Sequence, residues 1–157
     1  MSIPTKVTRG LKAGVIGTFA FSGPRRARAA VIDSADEKNN VFGHAFTIKE
    51  SKTSKEEVVE AGGKGHFAGI MVNPHANAIA ENGLAFNGTQ GEFVDMGEIY
   101  VTVEGATESK IGTKVYYKED GSLTVTEESN TLVPNCVIER HNPSKEEPNL
   151  CVIRLTN

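Results

Sequence analysis

Every apolar run in this sequence is short and is stopped by turn-forming residues. Ala13–Phe21 ends at Ser22-Gly23-Pro24, His66–Asn73 ends at Pro74, and Ile111–Lys118 gives way to Glu119-Asp120-Gly121. No stretch holds a 3.6-residue apolar period over the length of a stable helix. The chain is therefore restricted to strands joined by turns. Glycine points the same way: 16 of the 157 residues are Gly, above the average of roughly 7%. Trp is absent, while Val, Ile and Thr are frequent, a composition that suits pleated strands.

Read in order, the sequence predicts strands at Ala13–Phe21, Ala29–Ile32 and Val41–Ile48. Residues 49–57 are polar. Ser54-x-x-Glu57 matches a helix-capping box, but Ala61-Gly62-Gly63 leaves no room for a helix, so we read a loop leading into a strand at Val58–Ala61. His66–Asn73 reads as a buried strand and residues 74–91 as a long loop. Glu92–Glu104 is the longest strand signal. Ile99, Val101 and Val103 alternate with Tyr100, Thr102 and Glu104, and Met96-Gly97 predicts a bulge or bend. Asp120-Gly121 predicts a hairpin joining Ile111–Lys118 to Ser122–Thr126, because both residues accept positive φ. Leu132–Arg140 and Leu150–Thr156 complete the set. The expected fold is all-β: a sandwich or jelly-roll-like barrel of short antiparallel strands in a single domain, with an extended N-terminal arm. The division expected is a basic arm and first strand over residues 1–28 and a body over 29–157.

Charge is unevenly distributed. Lys6, Arg9, Lys12, Arg25, Arg26 and Arg28 lie in the first 28 residues with no acid among them, against a net charge of −3 for the whole chain. A net-negative chain is not a generic nucleic-acid binder. Its basic front suits docking on an acidic partner surface or head-to-tail self-association. No apolar run approaches the roughly 20 residues of a membrane span, and Met1–Lys12 lacks the apolar core of a secretion signal. The expected product is soluble and intracellular.

Motifs for chemistry are sparse. His44, His66, His75 and His141 form no H-x-H or H-E-x-x-H pair, so no metal site is expected. Cys136 and Cys151 are too few for a disulfide framework. They would face each other only in one register of the last two strands, and free buried thiols are the reading adopted for a reducing compartment. Gly10, Gly14 and Gly17 do not follow the strand–glycine–helix order of a phosphate loop. Arg25-Arg26-x-Arg28 could grip carboxylates or phosphate bidentately. Asn87-Gly88-Thr89 matches a glycosylation sequon in a chain with no secretory signal. Glu56-Glu57 and Glu127-Glu128 sit in polar runs, not in buried pairs that could tune a pKa. No catalytic residue and no cofactor is predicted.

Four stretches, in this order, resemble the structural cement (head decoration) family of tailed bacteriophages. They are Gly23–Thr47; Ala61–Pro74; Met96-Gly97 with Ile99–Val103 and Ile111–Tyr117; and Cys136–Arg140 with Leu150–Asn157. The departure is the Lys- and Glu-rich insert Ser51–Glu57. The resemblance implies a non-enzymatic virion protein, made in the host cytoplasm, that binds the outer face of the expanded head and bridges neighbouring major capsid protein subunits. It implies a symmetric dimer or trimer, with no nucleic-acid or membrane partner and no catalytic residues. Lys6, Arg9, Lys12, Arg25, Arg26 and Arg28 are then the candidate capsid contacts. The competing expectation is a carbohydrate- or receptor-binding β-domain of a tail or fibre. Against it, Tyr100, Tyr116 and Tyr117 all fall within strand signals. A small β-barrel hydrolase lacks any convergent motif.

Overall fold

The computed structural model describes residues 14–49, 57–73 and 84–156. Nine strands lie among them: β1 Arg26–Ile32, β2 Ala45–Ile48, β3 Val58–Ala61, β4 Phe67–Val72, β5 Gln90–Glu104, β6 Lys114–Tyr117, β7 Leu123–Thr124, β8 Thr131–His141 and β9 Leu150–Thr156. Helical structure among the described residues is limited to single 3-10 turns at Glu37–Asn39 and Glu108–Lys110. The all-β expectation holds.

The strands form one mixed sheet in the order β1-β3-β2-β4-β5-β7-β6-β8-β9, with two further pairings, β1–β5 and β5–β9. Those pairings close the sheet twice. The first ring is β1, β3, β2, β4 and the front half of β5. The second is β9, β8, β6, β7 and the back half of β5. Most pairs are antiparallel, but β1–β3 and β5–β7 are parallel. Ring closure leaves few strand edges open to stray pairing.

β5 belongs to both rings because it changes partner midway. Gln90–Met96 pair with β1, and Met96–Thr102 pair with β9. Met96 stands opposite both Arg26 and Thr156. The bend expected at Met96-Gly97 is the point of this exchange. Gly97 has φ +138, a backbone conformation that side-chain-bearing residues rarely adopt.

Each ring has its own core. Ile32, Phe46, Val59, Met71 and Phe93 fill the first, all 0% exposed. The Phe46 and Phe93 rings meet at 4.9 Å between centroids. Gly91, two residues before Phe93, keeps this space open, since a Cβ there would lie 2.8 Å from the Phe93 ring. In the second ring Ile99, Val101, Val103, Ile138 and Ile153 point inward, the face read from the alternation in β5. Period-2 geometry also works on the outside of the first ring. Ala45, Ile70, Val72 and Val94 face away from Phe46, Met71 and Phe93 and join the second core.

The rings are latched by the β6–β7 hairpin, which turns at Glu119-Asp120-Gly121 as the sequence predicts. Its tip lies on the β2 and β3 end of the first ring. The Ala45 N–H donates to the Gly121 carbonyl at 2.8 Å, Gly62 N–H to the Ala45 carbonyl at 2.9 Å, and Gly63 N–H to the Glu119 carbonyl at 3.4 Å. Within the tip, the Ser122 N–H and hydroxyl both donate to Asp120 Oδ1.

One expected strand is not formed. Of Ala13–Phe21, the described residues 14–21 make turns and a single bridge, Phe19 to Ile99. Gly17 has φ +79, and a Cβ on Gly14 would overlap the Tyr100 ring, so the segment cannot run flat. It still lines β5: Gly17 N–H donates to the Tyr100 carbonyl, Tyr100 N–H to Thr18, and Ala20 N–H to Glu98. The first strand instead starts at Arg26 and runs across the 28/29 boundary drawn from charge.

Cys136 and Cys151 are both free and buried. The register sets Cys136 opposite Leu155 and His141 opposite Cys151, so the two thiols do not face each other. Burial pushes the Cys151 pKa up to about 11 and raises that of Cys136 further, which keeps both as unreactive thiols.

Candidate functional site

The basic front of the chain does not form one free cationic patch. Arg26 lies at the start of β1, where its Nε and an Nη donate to the two carboxylate oxygens of Asp95 at 2.8 and 2.9 Å. This is the bidentate carboxylate grip expected of the arginine cluster, closed within the chain. Arg28 reaches Glu57, just before β3, at 2.6 Å. Both pairs bind β1 to its neighbours in the first ring. Arg25 is held over the Phe19 ring, 4.5 Å from its centroid, a cation–π contact, and has no carboxylate partner among the described residues. Lys6, Arg9 and Lys12 lie outside the described residues.

Asp95 is mostly buried while Arg26 is largely exposed. Removing Arg26 strands a carboxylate in a dry position, whereas removing both partners does not. Arg26→Ala should therefore lower the urea midpoint more than the double replacement Arg26→Met with Asp95→Leu. A double variant weaker than the single would show that the pair itself, not the orphaned acid, carries the effect.

Two surface depressions flank this region. A cleft of about 590 Å³ is lined by Gly17, Thr18, Phe19, Arg25, Asn73 and Glu92. A more apolar groove of about 300 Å³ runs along Phe21, Pro24, Met96, Gly97 and Leu155. It occupies the gap where β1 and β9 part on β5. Phe21 is 59% exposed there. Sequence reasoning missed this groove, because its walls come from residues more than a hundred positions apart. The only local hint was an aromatic residue set in a Ser-Gly-Pro turn.

Of the loop expected at 74–91, residues 84–89 form a turn that leads into β5, with Leu84 bridging to Val41. Residues 74–83 lie outside the described residues. Among the described residues, no three His, Cys, Asp or Glu side chains converge as metal ligands. His141 Nε2 lies 3.1 Å from the Pro148 carbonyl, and His75 is outside the described residues. His44 is half-buried. Its Nδ1 lies 3.1 Å from the Asn39 carbonyl.

Burial lowers the His44 pKa from the ordinary 6.5, an effect partly offset by attraction to Asp120. The folded chain thus prefers the neutral imidazole. Above 6.5 the histidine is neutral in both states and stability is unaffected; as pH falls below 6.5 the unfolded state takes up the proton first and stability declines. The decline levels off once the folded-state pKa is passed. Urea midpoints should show a slope on the acid side of 6.5 that His44→Gln flattens. An identical slope in the variant would remove His44 as its source.

Two small rings sharing one strand, with an apolar groove at the surface between them, define an all-β module that presents outer surfaces. The family model described as "Structural cement protein (E217 gp24/Pam3 gp6)" matches residues 3–156. The chain belongs to that family of phage structural proteins, as its four sequence stretches indicated. A solved chain titled "The capsid of Myoviridae Phage XM1" has the same fold, with a TM-score of 0.66 and 16% identity, covering 100% of this chain and 99% of that one. No curated protein matches the sequence. The role is that of a capsid-associated structural protein. No helix among the described residues is long and apolar enough to cross a membrane.

Proposed function

We propose that this protein binds the outer surface of the expanded phage head and clamps neighbouring major capsid protein subunits against the pressure of packaged DNA. The observation that carries the proposal is the cement-family match over residues 3–156. The chain acts without catalysis, as a homo-oligomer, and reaches the head from the host cytoplasm where it is made.

The physical logic is multivalent. A clip touching two or three subunits needs only modest affinity for each, because the linked contacts add through effective concentration. A standard contact buries about 800 Å² per partner, and a rigid double ring can offer two such areas at fixed spacing. Lys6, Arg9, Lys12 and Arg25 are the proposed electrostatic contacts with an acidic capsid face. Arg26 and Arg28, engaged with Asp95 and Glu57, support them by fixing β1. Selectivity for the expanded head follows if the bridged surfaces align only after maturation.

The test is occupancy of purified expanded heads by the full chain and by a chain lacking residues 1–12. The full chain is expected to decorate expanded heads, and the truncation to lose occupancy at physiological salt. Unchanged occupancy would refute the role of the basic segment; failure of the full chain to bind heads would refute the function. Arg25→Ala should weaken binding more at low than at high salt, as screening predicts.

A further inference from the structure

The turn that closes one end of the first ring has an asparagine, Asn87, as its side-chain hydrogen-bonding hub. Asn87 Oδ1 accepts from the Ser34 N–H at 3.0 Å and from Asn40 Nδ2 at 2.9 Å. Asn87 Nδ2 donates to the Ser34 carbonyl at 2.9 Å, and the Asn87 N–H donates to Glu37 Oε1 at 2.7 Å. Asn40 is 0% exposed; its Nδ2 also donates to the Ala85 carbonyl, and its Oδ1 has no partner among the described residues. The hub joins the turn after Leu84 to the loop after β1. The residue that follows is Gly88, exposed, with nothing among the described residues within 4 Å of the place a Cβ would occupy.

Asn followed by Gly is chemically vulnerable, because no side chain shields the glycine backbone nitrogen from the asparagine side-chain carbonyl carbon. We propose that Asn87 is a deamidation site which the native fold keeps closed and which opening of this turn exposes. In the reaction the Gly88 nitrogen gives up its proton and attacks Cγ of Asn87. The Cγ–Nδ2 bond breaks, ammonia leaves with the proton, and a five-membered succinimide remains. Water then adds to one of its two carbonyls and opens the ring to an aspartyl or an isoaspartyl residue. Nothing is oxidised or reduced, and water is the sole co-reactant.

The native turn blocks this step from both sides. The Gly88 N–H donates to the Ile32 carbonyl at 2.7 Å, which keeps the proton that must leave engaged. The side-chain amide is fixed by three hydrogen bonds to Ser34 and Asn40. Conversion therefore proceeds from the opened turn, and its rate reports how often the turn opens. The product cannot remake the whole hub. A carboxylate in place of the Asn87 amide can still accept from the Ser34 N–H and Asn40 Nδ2, but it has no hydrogen to give the Ser34 carbonyl, and it adds negative charge to a residue whose backbone N–H already binds the Glu37 carboxylate. Modification thus loosens the first ring irreversibly and leaves the second ring intact.

The experiment ages the wild-type full chain in native buffer, in urea below the global transition, and fully unfolded. Peptide mass spectrometry with isoaspartyl detection reads conversion at Asn87. Conversion should be at least about tenfold slower folded than unfolded, and should accelerate in urea before global unfolding begins, as local opening requires. Equal rates in the folded and unfolded chain would overturn the proposal, as would conversion that follows global unfolding alone. Asn87→Asp should melt below wild type, with amide exchange faster in the first ring and unchanged in the second. A variant as stable as wild type would remove the consequence. Should that variant not fold, the aged wild-type fraction separated by ion exchange provides the same comparison.

Discussion

Replacing Gly62 with alanine should destabilise this protein by about 2–5 kcal/mol, from a left-handed backbone and an unavoidable overlap acting together. Gly62 sits at φ +64 in the turn after β3. A Cβ built there would overlap the Glu119 carbonyl oxygen and lie 2.7 Å from the Gly121 nitrogen. Both are backbone atoms, so no side-chain rotation relieves the clash. The hairpin tip must lift, and with it go the bonds from Ala45 to Gly121 and from Gly63 to Glu119. The expected result is a lower urea midpoint together with faster amide exchange at Ala45 and Gly63. Normal protection at both amides would mean that the tip does not latch the rings. Gly121→Ala is the partner measurement, since a Cβ there would come within 2.6 Å of the Ala45 carbonyl oxygen.

Phe93→Ala should remove about 3–5 kcal/mol, the usual loss for truncating a fully buried aromatic side chain. Phe93 is 0% exposed and packs on Phe46 within the first ring. Gly91 lies against the Phe93 ring and has no side chain with which to refill the space. The cavity therefore stays open. Chemical denaturation should show the loss, and amide protection in β1–β4 should fall more than in β8 and β9. A variant within about 1 kcal/mol of wild type would mean that the ring collapses onto the gap, the behaviour of sites able to relax.

Much of the fold was readable along the chain. The alternation at Ile99–Glu104 marked the inward face of β5, Asp120-Gly121 marked a hairpin, and Val58–Ala61 and His66–Asn73 marked β3 and β4. These signals are local: they depend on a period of two and on residues that accept particular turn angles. The failures share a different cause. Ala13–Phe21 has the composition of a strand, but the ring of Tyr100, far along the chain, occupies the room that Gly14 must leave empty. β1 carries two arginines near its start because Asp95 and Glu57 wait for them, a fact no window around residue 26 contains. The exchange of partners at Met96 and the parallel β1–β3 and β5–β7 pairs are likewise properties of distant segments meeting.

The candidate site was legible only in part. Composition and charge singled out the segment holding Arg25, Arg26 and Arg28. They could not separate the arginine left over Phe19 from the two whose charges are answered inside the first ring. That distinction needs strand register. The groove along Phe21, Met96 and Leu155 exists only because β1 and β9 stop on either side of one residue of β5.

Because a single continuous strand is common to both rings, a pull on one is delivered to the other through covalent bonds as well as across their packed interface. Stretching the molecule end to end along β5 would load the ladders to β1 and β9 in shear, where many hydrogen bonds must fail together. A tug at right angles would instead unzip them one by one. The chain should accordingly be stiff in one direction and yielding in the other, and the way it is seated on its neighbours would decide which of the two they feel.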